Sequence, residues 1–201
     1  MKKHRTHLAF LCASPRKNGN THTLVDWAIA GATAAGATAE KIDLTRLKYK
    51  SLGCVACMGC QKSREFKCVI RDGAQSVLAR LPQADAIVFA TPVYFFGPAA
   101  QLKVFLDRAF SWFKFNDAAG TSTSALRRST TLALIASAGG GLRAGLGLTR
   151  DTYKILATFT RCTYKTLLVP NAPAAQGALK SNAALRRKAE AFGRRLARGA
   201  R

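Results

Sequence analysis

Leu8-Ala9-Phe10-Leu11-Cys12-Ala13 runs into Ser14-Pro15-Arg16-Lys17-Asn18-Gly19-Asn20-Thr21-His22-Thr23, and this junction decides the fold. Six apolar residues are far too few for a bilayer, which needs about 20, but they suit a strand buried on both faces. Beyond the polar loop, Thr21 to about Ala35 places Leu24, Ala28 and Ala32 on one helical face. The same alternation repeats down the chain. Ala39 to Leu44 reads as a second strand, Ala74 to Leu81 as a short helix and Ala86-Ile87-Val88-Phe89-Ala90 as a third strand. A helix opening near Pro98 carries Leu102, Phe105, Leu106 and Ala109 inward. Thr130 to Ala136 is the fourth strand, Leu148 to Phe159 a helix and Thr163 to Val169 the fifth strand, and a terminal helix closes the series. Strands that alternate with helices imply a parallel sheet with crossover helices, hence an α/β three-layer sandwich. Asn116 to Ser124 reads as a flexible loop. The 201 residues, 48% of them hydrophobic, suit one domain spanning 1–201 with a cysteine-rich loop, 53–73, inserted after the second strand.

That inserted loop holds Cys54-x2-Cys57-x2-Cys60-x7-Cys68. Two-residue gaps let successive sulfurs turn inward from one wrapped loop, and the longer gap brings in a fourth, so tetrathiolate ligation of an iron–sulfur cluster is the favoured reading. Two alternatives stand beside it. A tetrahedral zinc usually shows two separated cysteine pairs, and a redox dithiol needs only Cys54 and Cys57. The remaining cysteines, Cys12 and Cys162, sit in apolar strand-like runs and read as core residues.

Met1-Lys2-Lys3-His4-Arg5 before the first apolar run imitates an export signal, but the run enters a polar loop at once, so it reads as the first strand of a cytoplasmic protein. A reducing compartment favours metal or redox work for clustered thiols. Thirty-two Lys and Arg against ten Asp and Glu give a net charge of +22, which makes a basic nucleic-acid-binding protein with a structural zinc loop the rival class. The charge is dense only from Lys180 to Arg201, where Leu185, Ala189, Phe192 and Leu196 recur at helical spacing. A solvated basic face on an amphipathic helix is the favoured account, and no nucleic-acid-binding motif accompanies it.

In an open α/β sheet, ligands lie outside the carboxyl ends of the strands where strand order reverses. The loop after the first strand offers a helix N-terminus, the polar groups of Ser14, Asn20, Thr21 and Thr23 and the charge of Arg16, which together suit a phosphate. It lacks the glycine patterns of nucleoside-triphosphate and dinucleotide folds. After the third strand, Thr91-Pro92-Val93-Tyr94-Phe95-Phe96-Gly97-Pro98 brings aromatic rings beside that cradle, where a flat hydrogen-bonding ring would fit. Ser137-Ala138-Gly139-Gly140-Gly141 after the fourth strand lets backbone approach a ligand closely. His22, in the first helical turn, is a candidate phosphate contact, while His4 and His7 flank the first strand. No acid–base pair or catalytic residue is identified.

Ser14-Pro15-Arg16 with Gly19-Asn20-Thr21, the cysteine run, Thr91-Pro92-Val93-Tyr94, and Leu102-Lys103 with Asp107-Arg108 give the chain a resemblance to the flavodoxin-like NAD(P)H-dependent FMN reductases, and within them to the iron–sulfur flavoproteins. The resemblance implies a five-stranded parallel sheet of order 2-1-3-4-5. It implies FMN with its phosphate on Ser14, Arg16, Asn20 and Thr21 and its ring on Pro92, Val93, Tyr94, Phe95, Phe96 and Gly97, near Ser137, Gly139 and Gly140. It implies a [4Fe-4S] cluster on Cys54, Cys57, Cys60 and Cys68, a homodimer or tetramer, and NAD(P)H as a donor. An NAD(P)H-dependent FMN or quinone reductase without a cluster is the alternative within the family. The positive surface suits an acidic electron carrier such as ferredoxin. Asp107 and Arg108 read as an ion pair on a helix.

Overall fold

The computed structural model describes residues 5–199, so His4 and the first residues of the signal-like segment lie outside them. Five parallel strands form the centre: β1 (His7–Cys12), β2 (Thr38–Asp43), β3 (Ala86–Tyr94), β7 (Thr131–Ser137) and β8 (Thr163–Val169). Their order is β2-β1-β3-β7-β8, which is 2-1-3-4-5 among the parallel strands, the flavodoxin-like arrangement. Between them run α1 (Asn20–Ala34), the one-turn α2 (Gly59–Lys62), α3 (Gly73–Arg80), α4 (Ala100–Asp107) and α5 (Gly147–Thr160), and α6 (Ala183–Gly199) follows β8. Among the described residues no helix is long and apolar enough to cross a membrane.

The period of two in the strands explains the layers. In β1, Leu8, Phe10 and Cys12 face one core with Leu24, Val25, Ala28, Ala189, Phe192 and Leu196 of α1 and α6. Ala9 and Leu11 face the other core with Leu78, Leu102, Phe105, Trp112 and Tyr153. Both faces are dry, so β1 and β7 read as unbroken apolar runs rather than alternating ones. Burial pushes the Cys12 thiol up to about 11, consistent with a core side chain, whereas Cys162 is only half-buried.

Three sequence expectations need correction. β3 continues beyond Ala90 to Tyr94, then turns at Phe95-Phe96 and returns as β4 (Gly97–Pro98), with Tyr94 opposite Gly97. Pro98 therefore lies in a strand pair, and α4 starts at Ala100. Asn116–Ser124 is not a loose loop: β5 (Phe113–Asn116) and β6 (Thr121–Ser124) form an antiparallel hairpin in full register. The alternating Thr and Ser of β6 disguise it, because its strand pattern carries no apolar alternation.

Helices α1 and α6 touch backbone to backbone. A Cβ on Gly193 would stand 1.8 Å from the Ala28 carbonyl oxygen, and one on Gly31 would stand 2.0 Å from that of Glu190. Gly193→Ala gains about 0.5–1 kcal/mol of helix propensity. Overpacking costs about 1–3 kcal/mol, and at so short a distance the helices must move apart. The substitution is therefore expected to destabilise, seen as a lower denaturation midpoint with an unchanged slope in urea unfolding.

Candidate functional site

Two cavities gather the candidate site residues, and the first lies at the carboxyl end of the sheet. The first is an open cleft lined by Ser14, Arg16, Gly19, Asn20 and Thr21 from the β1–α1 loop and the first turn of α1, by Pro92, Val93 and Tyr94 from the end of β3, and by Ser137, Ala138 and Gly139 at the end of β7. Ala172, Pro173 and Ala174, after β8, complete it. Parallel strands deliver their loops to one edge, so segments far apart in sequence converge here.

Local bonds fix each wall. Thr21 Oγ1 and Ser137 Oγ are 3.4 Å apart, linking the first and third walls. The Thr91 hydroxyl accepts from the Ala99 amide at 3.0 Å and donates to the Pro92 carbonyl, clamping the end of β3 to the start of α4. The Ala138 amide donates to Val169 O, and the Ala172 amide to Ala138 O, so the last two loops are stitched together. Arg16 Nη1 donates to Ala174 O at 2.8 Å and Asn20 Nδ2 to Pro173 O at 2.7 Å. Asn20 Oδ1 is left buried without a partner, an acceptor waiting for a donor in the cleft. The first turn of α1 adds amides without intrahelical partners and a partial positive charge.

Of the residues expected around a flavin, Ser14, Arg16, Asn20, Thr21, Pro92, Val93, Tyr94, Ser137 and Gly139 meet in this cleft. Thr23, Phe95, Phe96, Gly97 and Gly140 do not line it. Thr23 is turned to its own helix and donates to the Gly19 carbonyl. Phe95 and Phe96 form the tip of the β3–β4 hairpin with φ of 44° and 68°, and Phe95 is 97% exposed. Their left-handed conformation is a strain that aromatic residues rarely bear. A Cβ on Gly145 would fall 2.4 Å from the Phe96 Cα, so the loop after β7 presses directly on this turn. His22 faces the loop backbone, its Nε2 3.2 Å from the Ser14 carbonyl oxygen, and shapes the cradle from behind. Missing from the sequence reading were Ala172 to Ala174. Three small apolar residues carry no chemical signal, although their place after a strand could have suggested them.

The second cavity brings Cys54, Cys57, Cys60 and Cys68 to one space with Val55, Met58, Val69, Phe110, Arg108 and Ser111. Three left-handed residues, Gly53, Ala56 and Met58, interleave with the cysteines and curl the chain around it. Among the described residues no three His, Cys, Asp or Glu side chains stand close enough to hold one metal ion. Apart from the cysteines, the walls of this cavity are largely apolar. The β5–β6 hairpin buttresses the loop: Gln61 Nε2 donates to Phe113 O, the Phe115 amide donates to Gln61 Oε1, and Lys114 Nζ donates to the carbonyls of Cys60, Ser63 and Glu65.

Asp107 and Arg108 do not pair with each other. Asp107 pairs with Lys103 at 2.6 Å, whereas Arg108 is buried and forks onto Asp72 at 2.7 and 2.9 Å. The same guanidinium donates to the Ile70 carbonyl and reaches Cys68 Sγ at 3.5 Å. Asp72 also caps α3 by accepting from the Gln75 amide, and it accepts from the Lys50 amide. Burial alone would raise the Asp72 carboxyl, but hydrogen bonds from Arg108, Lys50 and Gln75 more than offset it and hold the group at about 2.

The profile of the NADPH-dependent FMN reductase family matches residues 6–175. An iron–sulfur flavoprotein of Methanocaldococcus jannaschii is 36% identical over 99 residues, which cover 49% of each chain. One from Archaeoglobus fulgidus is 33% identical over 98 residues, covering 49% of this chain and 43% of that one. The chain thus spans about half the length of the curated relatives it matches. An NAD(P)H:quinone oxidoreductase structure from Methanothermobacter marburgensis superposes with a TM-score of 0.71 at 18% identity, covering 96% of this chain and 98% of that chain. At that identity the likeness is one of fold.

A folded pKa of about 2 for Asp72, below an unfolded value near 4, stabilises the protein fully above about pH 4. That contribution, about 2 kcal/mol, is lost as pH falls from about 4 to 2. Urea unfolding between pH 6 and pH 2.5 should show the loss, and Asp72→Asn should flatten this part of the acid slope while lowering stability at pH 6.

Proposed function

We propose that this chain, which belongs to the NADPH-dependent FMN reductase family, is a flavin-dependent oxidoreductase that holds FMN in the open cleft and an iron–sulfur cluster in the cysteine cavity. The observation that carries the reading is the cleft, where an Arg-bearing helix N-terminus, the end of β3 and the loops after β7 and β8 meet. A phosphate beside the first turn of α1 would take amides, the hydroxyls of Ser14 and Thr21 and the charge of Arg16. The orphaned Asn20 Oδ1 suits the ribityl hydroxyls, which can donate to it. Pro92, Val93 and Tyr94 would bear on the ring, with Ser137 and Gly139 at its edge. Thr23 and Gly140 would support these contacts through the loop backbone.

The cysteine cavity supports the second part. Cys54, Cys57, Cys60 and Cys68 line one cavity, and relatives matched over about half of the chain are named iron–sulfur flavoproteins. Bound FMN supplies both hydride and single-electron chemistry, so it can take electrons from NAD(P)H or from a one-electron centre. The protein positions and insulates these groups and needs no acid–base pair. Exposed apolar side chains at Phe95, Phe96, Leu142 and Leu148 are what a second copy of the chain would cover in a homodimer or tetramer. The net charge of +22 favours an acidic electron carrier in a reducing cytoplasm.

Flavin-fluorescence titration should show FMN bound more tightly than riboflavin, and Arg16→Ala should weaken FMN binding by about 1.5–3 kcal/mol. Equal affinity for FMN and riboflavin would remove the phosphate assignment. Replacing any one of Cys54, Cys57, Cys60 or Cys68 by Ala should deplete iron and sulfide in anaerobically purified protein while FMN still binds. Stoichiometric zinc in iron-replete wild-type preparations would establish the zinc alternative.

A further inference from the structure

Apart from the cysteines, the side chains with hydrogen-bonding groups that line the second cavity are Arg108 and Ser111, 2% and 1% exposed. Each has a buried polar group without a partner, Arg108 Nε and Ser111 Oγ. A buried donor left unmade costs about 1–3 kcal/mol, and both residues that carry one line this cavity, so an occupant able to accept hydrogen bonds suits them. Arg108 Nη2 is already 3.5 Å from Cys68 Sγ, so a sulfur-rich acceptor lies in the direction this guanidinium faces. Nor is the guanidinium free to turn away, because both of its NH2 groups bind Asp72 and Nη2 also binds the Ile70 carbonyl. With its charge matched by Asp72, Arg108 can sit beside bound thiolates as a rigid, oriented donor.

We propose that Arg108, locked by Asp72, together with Ser111 forms a hydrogen-bond shell that orients Cys68 and raises the reduction potential of the cluster. The proposal rests on the reading that Cys54, Cys57, Cys60 and Cys68 hold that cluster. Reduction adds one electron with no bond made or broken, so the negative charge on the sulfurs grows by one. A donor to those sulfurs, as Arg108 Nη2 is to Cys68 Sγ, binds the reduced form more strongly than the oxidised form, and hydrogen bonding to sulfur is among the levers that set such potentials. Arg108 and Ser111 are positioning residues. They tune the centre through sulfur and need not touch a substrate.

The test is a dye-mediated reductive titration of anaerobically purified full-length protein with dithionite, followed by electron paramagnetic resonance, with iron, sulfide and FMN assayed in parallel. Ser111→Ala removes one hydroxyl and spares the Asp72 fork. It is expected to keep its iron and shift the cluster midpoint to a more negative value, with the flavin midpoint unchanged. Arg108→Lys keeps the charge but cannot make the fork, and is expected to shift the cluster midpoint further in the same direction or to lose iron faster under a chelator. If wild-type protein retains iron and sulfide and both variants keep the wild-type cluster midpoint and iron retention, the shell is overturned while the cluster reading stands. If wild-type protein retains no iron and sulfide, the cluster reading falls and this proposal falls with it.

Discussion

Parallel pairing constrains this structure more than any single contact. A chain that returns to the same end of a sheet before each new strand must discharge its loops at one edge, and a right-handed crossover is the geometry that packs its helices back onto the sheet. Residues near positions 16, 20, 93, 137 and 173 therefore share a wall although no local sequence connects them. The register of β3 against β7, with Pro92 opposite Ser137, sets the width of that wall. β1 ends at Cys12 opposite Ala90, so the last residues of β3 have no β1 partner. That tolerance admits a proline, which lacks a donor, in a strand buried for most of its length.

A second constraint attaches the cysteine loop to this frame. Burying a guanidinium requires an equally buried anion and an acceptor for most of its N–H groups, and Asp72 satisfies Arg108 while it caps α3 and ties down Lys50. One carboxylate thus joins the loop after β2, the start of α3 and the segment after α4. From the other side, Gln61 and Lys114 brace the same loop on the β5–β6 hairpin. The cysteines sit on a segment with little regular structure of its own, held by polar contacts to rigid neighbours.

The strands and helices were legible because burial on both faces writes continuous apolar runs, and amphipathic helices write a period that Leu24, Ala28 and Ala32 display plainly. Nine of the cleft-lining residues were legible too, since hydroxyls, a charge and glycines at strand ends carry chemical identity. The rest was hidden for specific reasons. Phe95 and Phe96 looked like a ring-binding bed, but side-chain type does not reveal that the backbone there reverses and throws both rings outward. Arg108 stands next to Asp107 in sequence, yet its partner lies 36 positions away, and only the folded chain brings Asp72 to it. The hairpin at Phe113 to Ser124 was obscured because one of its strands is Thr-Ser-Thr-Ser, which resembles a loop in composition and has only its two threonines to suggest a strand.

The glycine contact between α1 and α6 has a kinetic meaning. The core under α3, α4 and α5 is assembled largely from elements that follow one another along the chain, whereas the opposite core joins α1 to a helix that the ribosome makes much later. Contacts of such long sequence separation carry a large loop-closure entropy and slow the approach to the native state. Until α6 docks, the faces of Leu8, Phe10 and Val88 have no complete cover. On a growing chain the layer that carries the basic helix cannot close before α6 has been made, and until then its apolar surface is open to misassociation.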